Sequence, residues 1–262
     1  MRVFRAAAKL GRALGHLGTG MWTISRRFPH LAQAEKEQLV QAWAARMLAL
    51  MRIELRVTGM PPRRGPILLV ANHISWLDIL VLHAAGYCRF VSKADVKNWP
   101  VVGTLATAAG TLYIERESRR DAMRVVHHMA EHLRTGDVVA VFPEGTTGDG
   151  ISMLPFHANL LQAAIAADVP ALPVALRFID GRTGQTSFAP SFVGDETLVG
   201  SVWRTLSSNS LVAEVNYGEP QHAGSRGRRE WAADLQQAVN RLRTSQAMPT
   251  GPAPLRSERA AL

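Results

Sequence analysis

Short apolar runs alternate with patterns of helical period along most of the chain. The predicted strands cover 66–71, 88–92, 111–115, 137–142, 171–178 and 211–217. One predicted helix begins at 76, a short one lies near 198–206, and the others cover 101–109, 119–134, 156–167 and 226–243. Strands that take turns with helices usually build a parallel sheet. The pattern therefore predicts an α/β fold with a mixed, largely parallel sheet flanked by helices, whose sites lie at the carboxyl ends of the strands.

Two helical patterns, 2–22 and 32–51, precede a first strand at 52–58 and predict an N-terminal hairpin of two helices. The first is amphipathic, with a basic stripe and an apolar stripe about 150° apart. The basic stripe consists of Arg2, Arg5, Lys9, Arg12 and His16, and the apolar one of Val3, Ala7, Leu10, Leu14, Leu17 and Met21. The expected division is membrane-surface helices over 1–52, an α/β domain over 53–247 and a disordered tail over 248–262.

Charge is concentrated in the N-terminal quarter of the chain. The net charge is +9; residues 1–64 hold 12 Lys and Arg against 3 Asp and Glu, whereas residues 65–262 hold 18 of each sign. Such a block attracts anionic lipid or nucleic acid. Its cations interrupt every apolar run, which excludes a simple membrane span. Three interpretations stay open: a helix lying among lipid headgroups, a helix packed on its own domain with a solvated basic face, and an organellar transit peptide.

The chain has a single cysteine, Cys88, in a predicted strand. One cysteine cannot form an internal disulfide, and this usage suits a reducing compartment. We interpret Cys88 as a small core residue.

A histidine and an aspartate five residues apart follow the apolar strand 66–71. If His73 lies in the turn and Asp78 in the first turn of the next helix, the carboxylate can hold one ring nitrogen as N–H and leave the other free to accept a proton. That arrangement activates a hydroxyl group. The alternative is structural: Ser75 and Asp78 also fit a capping box, in which Asp78 only satisfies backbone N–H groups.

Two later strand ends carry further polar residues. The strand 111–115 is followed by Arg116, and the strand 137–142 by Pro143, Glu144 and a Gly-Thr-Thr turn at 145–147. Arginine offers a bidentate fork for an anion, and the turn offers N–H and hydroxyl donors. Glu144 would repel an anion unless it orients Arg116 or accepts from a substrate hydroxyl. Alternatively, Arg116 pairs with an acidic neighbour and 143–146 is an ordinary turn.

These segments, in this order, resemble the glycerolipid acyltransferase family that includes the 1-acylglycerol-3-phosphate acyltransferases. Asn72, His73 and Asp78 are similar to its first block, 110–116 to its second, 142–146 to its third and 169–176 to its fourth. Lys93 and Gly103 are similar to a basic residue and a glycine between the first two blocks. Four ordered blocks are more specific than any one of them.

The resemblance implies catalysis by His73, as general base, and by Asp78, which orients it. The substrate-binding residues that it implies are Asn72, Lys93, Arg116, Glu144, Gly145, Thr146 and Thr147. It further implies no bound cofactor and no metal, an acyl-CoA or acyl-carrier-protein thioester as donor, a lysolipid as acceptor, and a peripheral location on the cytoplasmic face of the membrane. Residues 1–24 would contact an anionic lipid surface, and no nucleic acid is expected.

The expected product is phosphatidic acid, formed from 1-acylglycerol-3-phosphate. Two departures from the family pattern bear on the acceptor: Thr147 stands where the family often has a cation, and His157 where it often has a lysine. The Glu-Gly-Thr-Thr variant is similar to enzymes that acylate lyso-ornithine lipid, which is the alternative acceptor.

Three rival functions follow from other features. A serine hydrolase is disfavoured because the chain has no Gly-x-Ser-x-Gly segment. A metal enzyme would use His128 and His132, which are four apart on a helix but lack the intervening glutamate of the protease motif. A basic membrane- or nucleic-acid-binding module without catalysis would leave the turns at His73 and Glu144 unexplained.

Overall fold

The computed structural model describes residues 2–114 and 119–245. Its helices are α1 (Arg2–Arg26), α2 (Gln33–Met51), α3 (Leu77–Ala85), α4 (Val102–Ala108), α5 (Arg119–Arg134), α6 (Gln162–Ala167), α7 (Leu198–Ser207) and α8 (Arg228–Thr244). Its strands are β1 (Glu54–Thr58), β2 (Ile67–Ala71), β3 (Arg89–Lys93), β4 (Leu112–Ile114), β5 (Val138–Val141), β6 (Ala171–Asp180) and β7 (Leu211–Tyr217). Two 3₁₀ helices lie at Phe28–His30 and Ala94–Asn98.

Within the described residues, seven strands form one sheet in the order β1-β7-β6-β2-β5-β3-β4. All neighbouring pairs are parallel except β6 and β7, which are antiparallel. The predicted mixed, largely parallel sheet is therefore confirmed. Because β2, β5, β3 and β4 run in the same direction, the segments that follow them leave the sheet at one edge.

The sheet separates two hydrophobic cores. Strand β2 is buried at every position and alternates between them: Leu69 and Ala71 join the core under α2 and α3, while Leu68 and Val70 join the core under α5 and α8. A strand covered on both faces reads as a continuous apolar run, because each face needs its own apolar residues. Burial of this strand fixes where the chain emerges at His73.

The N-terminal helices form the predicted hairpin and pack on the α/β body. The ring of His16 stacks on Trp43 of α2 at 5.1 Å, its Nε2 atom lies 3.0 Å from the Trp43 carbonyl oxygen, and the indole N–H donates to the His16 carbonyl. Ala6 and Ala13 of α1 are part of the core that contains β2. The division at residue 52 stays a prediction.

Helix α1 packs on the α/β body through part of its basic stripe. Lys9, from the basic stripe, is 4% exposed and donates to the Ser208 carbonyl at 2.6 Å. Burial lowers the pKa of Lys9, and the positive charges of Arg52 and Arg5 lower it further. The outward side of α1 carries the exposed apolar residues Val3, Phe4, Leu14 and Trp22 beside the exposed cations Arg5 and Arg12. The helix therefore packs on its own domain with part of its basic face solvated, and its contact with a lipid surface stays a prediction.

Some predicted boundaries differ from the observed ones. The helix expected at 156–167 is the six-residue α6, because 158–161 form a turn and the preceding residues are irregular, with the His157 N–H donating to the Pro143 carbonyl. Strand β6 continues two residues beyond the prediction, to Asp180. The tail expected at 248–262 lies outside the described residues. In the described part of the chain, no helix combines the length and apolar character needed to cross a membrane.

Candidate active site

His73 lies in the turn between β2 and α3, and Asp78 lies in the first turn of α3. The His73 Nδ1 atom is 2.8 Å from Asp78 Oδ2, and the aspartate is fully buried. The same oxygen accepts from the N–H groups of Ile74 at 2.6 Å and Ser75 at 2.9 Å. Asp78 therefore both accepts from backbone N–H groups and contacts the imidazole. The capping interpretation and the interpretation as an orienting carboxylate describe one arrangement. With Nδ1 directed at Asp78, Nε2 is the ring atom available to accept a proton.

The turn itself is anchored by the loop between β6 and α7. The Ser75 hydroxyl donates to the Pro190 carbonyl oxygen and accepts from the Leu77 N–H. The Trp76 indole N–H donates to the Ser201 hydroxyl of α7 at 3.1 Å. The sequence of this loop, rich in Ser, Gly and Thr, carries no signal for the Pro190 contact, because the partner atom is a backbone carbonyl.

The segment 142–148, which follows β5, lies against His73. The Phe142 ring stacks on the imidazole with centroids 4.0 Å apart and planes 9° from parallel. Glu144 is 4% exposed; its Oε1 accepts from the His73 N–H and its Oε2 from the Leu154 N–H, both at 2.8 Å. Burial raises the pKa of the Glu144 carboxyl, and these two N–H donors offset part of that rise. The Gly148 N–H donates to the His73 carbonyl at 2.7 Å.

Two further residues predicted to bind substrate have their side chains bonded within the protein. Asn72 is buried, and its amide both donates to the Leu176 carbonyl and accepts from the Leu176 N–H, which ties the end of β2 to β6. The Thr147 hydroxyl donates to the Phe192 carbonyl oxygen. Both side chains hold the site together, and a substrate-binding role for either one remains a prediction.

The other predicted contacts lie near the surface of this edge. Lys93 is exposed at the end of β3, and Gly145 and Thr146 are exposed in the turn after β5. Gly145 has φ 72°, and an added Cβ would lie 3.2 Å from the His157 ring, so a side chain is disfavoured here by both backbone and space. Arg116 lies outside the described residues. The structure thus brings His73, Asp78 and Glu144 into direct contact.

The two histidines weighed as metal ligands are engaged differently. His128 and His132 meet edge to face at 4.9 Å, and His132 Nδ1 lies 2.7 Å from Asp137 Oδ2. Within the described ranges, no three His, Cys, Asp or Glu side chains are grouped so that they could hold a metal ion.

Comparison with known proteins gives concordant results. A family model described as Acyltransferase matches residues 52–177. The chain is 36% identical to the lyso-ornithine lipid O-acyltransferase of Pseudomonas aeruginosa over 95% of both proteins. It is 40% identical to the 1-acyl-sn-glycerol-3-phosphate acyltransferase of Neisseria gonorrhoeae over 65% of this chain and 66% of that protein.

The fold has a relative of known structure. The crystal structure of the 1-acyl-sn-glycerophosphate acyltransferase of Thermotoga maritima matches 92% of this chain and 95% of its own, with a TM-score of 0.68 at 20% identity. Relatives that are named as enzymes do not support the rival of a binding module without catalysis. The resemblance drawn from the four sequence blocks is confirmed, and this chain belongs to the acyltransferase family.

Proposed function

We propose that the protein transfers a fatty acyl group from a thioester to the free hydroxyl of a lysolipid. The observation that carries this proposal is the 2.8 Å contact between His73 Nδ1 and the buried Asp78, which leaves Nε2 as a base at the carboxyl edge of the sheet. Nε2 takes the proton from the acceptor hydroxyl while its oxygen attacks the thioester carbonyl carbon. The new C–O bond forms, the C–S bond breaks, and the proton passes from His73 to the leaving thiolate.

General-base assistance of this kind accelerates a reaction by about 10²–10⁴. The mechanism has no covalent enzyme intermediate, because the hydroxyl that attacks belongs to the acceptor. The thioester is that of acyl-CoA or acyl-carrier protein. Lys93, Gly145 and Thr146 are the exposed groups beside the 142–148 segment that can meet the polar head of the acceptor.

Two acceptors are candidates, and two observations favour the lyso-ornithine lipid. Thr147 has no charge and its hydroxyl already donates to Phe192, while His157, in place of the family's lysine, packs on Gly145. Both substitutions reduce the positive charge offered to a phosphate monoester. The relative matched over 95% of both chains is also named for lyso-ornithine lipid.

A product assay tests the proposal. The purified full chain is given a panel of lysolipids that contains 1-acylglycerol-3-phosphate and lyso-ornithine lipid, with acyl-CoA and acyl-carrier protein compared as donors, and the products are identified by mass spectrometry. We expect a diacyl product with at least one acceptor and preferential use of lyso-ornithine lipid. Release of free fatty acid with no acylated lipid would contradict the proposal.

We also propose that α1 holds the enzyme on the cytoplasmic surface of an anionic membrane. Phe4 is 81% exposed, Trp22 projects from the helix in the same direction, and the exposed Leu14 lies about 80° away around the helix axis. The exposed residues Trp99 and Val101 precede α4, which contacts α1. Exposed apolar residues on a helix with cationic neighbours such as Arg12 suit insertion among headgroups, driven by apolar burial and attraction to anionic lipid.

Replacement of Phe4, Leu14 and Trp22 by serine should weaken binding to phosphatidylglycerol-containing vesicles by about tenfold or more, because each buried apolar side chain contributes roughly 1.5–3 kcal/mol. The matched control is Met123→Ser, since Met123 is 74% exposed on α5, on the other side of the sheet. Cosedimentation at low and high salt measures the effect. Equal binding by the triple variant and the control would contradict this role of α1.

A further inference from the structure

We infer that Glu144 is a positioning residue for His73 and does not contact the acceptor. The inference deepens the proposed function and rests on it. An acceptor contact through Glu144 requires a carboxylate oxygen that is open to the site. Both oxygens already accept from backbone N–H groups, and the residue is 4% exposed.

The hydrogen bonds of Glu144 join two stretches of chain that are distant in sequence. One oxygen holds the N–H of His73, in the turn after β2, and the other holds the N–H of Leu154, at the end of the loop that follows the 142–148 segment. Leu154 is held a second time, because the Gln236 side-chain N–H of α8 donates to its carbonyl. A buried carboxylate that accepts from two N–H groups keeps a fixed position, because moving it would leave a donor unpaired at a cost in free energy.

The 142–148 segment therefore contacts His73 at three points. Phe142 stacks on its ring, Glu144 accepts from its N–H and the Gly148 N–H donates to its carbonyl. Asp78 controls the direction of the ring through Nδ1, and the 142–148 segment controls the backbone from which the ring projects. Proton transfer requires Nε2 within hydrogen-bond reach of the acceptor hydroxyl, so a small displacement of the His73 backbone lowers the rate without weakening acceptor binding.

Two substitutions of Glu144 test how far kcat depends on its hydrogen bonds. Glu144→Gln keeps the oxygen that faces His73 and places an NH₂ group opposite the Leu154 N–H, whereas Glu144→Ala removes both acceptors. We expect kcat per folded molecule to fall by about tenfold for the glutamine variant and by about 10²-fold for the alanine variant. KM should stay within about twofold of wild type for both 1-acylglycerol-3-phosphate and lyso-ornithine lipid, because no acceptor contact is lost.

The control is Asp149→Asn. Asp149 is an exposed carboxylate of the same loop that accepts from the N–H groups of Ile151 and Ser152, and its variant should keep kcat within about threefold. Circular dichroism and thermal melting give the folded fraction of each variant. If Glu144→Gln retains kcat and raises KM more for one headgroup than for the other, the carboxylate binds the acceptor and the inference is overturned.

A structure of the wild-type chain decides the question without any variant. With a deoxy analogue that lacks the reacting hydroxyl, we expect both Glu144 oxygens to stay on the His73 and Leu154 N–H groups. Rotation of the carboxylate toward the analogue would overturn the inference. Failure of wild-type protein to acylate any lysolipid would instead remove the proposed function, so the two failures are distinct.

Discussion

The chain contains two histidine–aspartate pairs of identical spacing, His73 with Asp78 and His132 with Asp137. In both, the histidine Nδ1 contacts the aspartate Oδ2, at 2.8 Å in the first pair and 2.7 Å in the second. In both, the two residues lie on either side of the junction between a helix and a neighbouring segment. Spacing and contact distance therefore do not distinguish the proposed catalytic pair from the other one.

Their positions on the sheet differ. The first pair follows β2 and lies at the carboxyl edge, where parallel strands deliver His73 and the segment after β5 to one place. The second pair joins the end of α5 to the start of β5 and therefore lies at the opposite, amino edge. Only the first lies beside the exposed turn at Gly145 and Thr146.

The aspartates also have different partners. Asp137 Oδ2 accepts from Arg89 Nε at 2.7 Å as well as contacting His132, so its charge is paired with a cation. Asp78 Oδ2 is shared among the His73 ring and two backbone N–H groups. In the proposed reaction, the Asp78 carboxylate would stabilise the imidazolium that forms during proton transfer, whereas the charge of Asp137 is already paired with Arg89.

The largest expected difference concerns the histidines. His73→Ala should lower kcat by about 10²–10⁴-fold, because it removes the base, while His132→Ala should keep kcat within about threefold. Initial rates with saturating lysolipid and acyl-CoA, normalised to folded protein, measure both. Comparable losses in the two variants would contradict the assignment of the base.

We expect substitution of Asp78 to lower activity and substitution of Asp137 to lower stability. Asp78→Asn should lower kcat by about 10²-fold, since the amide no longer fixes the tautomer and charge of the His73 ring. Asp137→Asn should leave kcat per folded molecule unchanged and lower the stability by about 1–2 kcal/mol, because Arg89 and His132 lose a charged partner in a site that is only partly exposed. A decrease of about 2–8 °C in melting temperature would accompany that loss. Normal turnover by Asp78→Asn would refute the orienting role.

Much of the site could be anticipated from residues that are close in sequence. The turn position of His73 and the first-turn position of Asp78 follow from an apolar strand that runs into a helix, and the structure agrees with both. The alternation of strands and helices predicts that Thr146 lies at the same edge, whereas Lys93 is predicted from the family resemblance alone. Arg116, predicted to join them, lies outside the described residues.

Interpretation of polar side chains from sequence was weaker. The resemblance to the acyltransferase family implies Glu144, Asn72 and Thr147 as substrate contacts. In the structure each is bonded to a backbone group 10 to 104 positions away. Sequence shows that a polar residue is near a site, but the residue's hydrogen-bond partners depend on which strands become neighbours.

By itself, the sequence determined the order of strands and helices, the two-sided burial of β2 and the placing of one histidine where parallel strands end, because these depend on local hydrophobic period and turn chemistry. The tertiary structure alone decided which of two equal His–Asp pairs has a cation on its aspartate, where the Glu144 carboxylate is directed, and which side of α1 faces outward. Each of these depends on contacts between segments far apart in the chain, which no local pattern encodes.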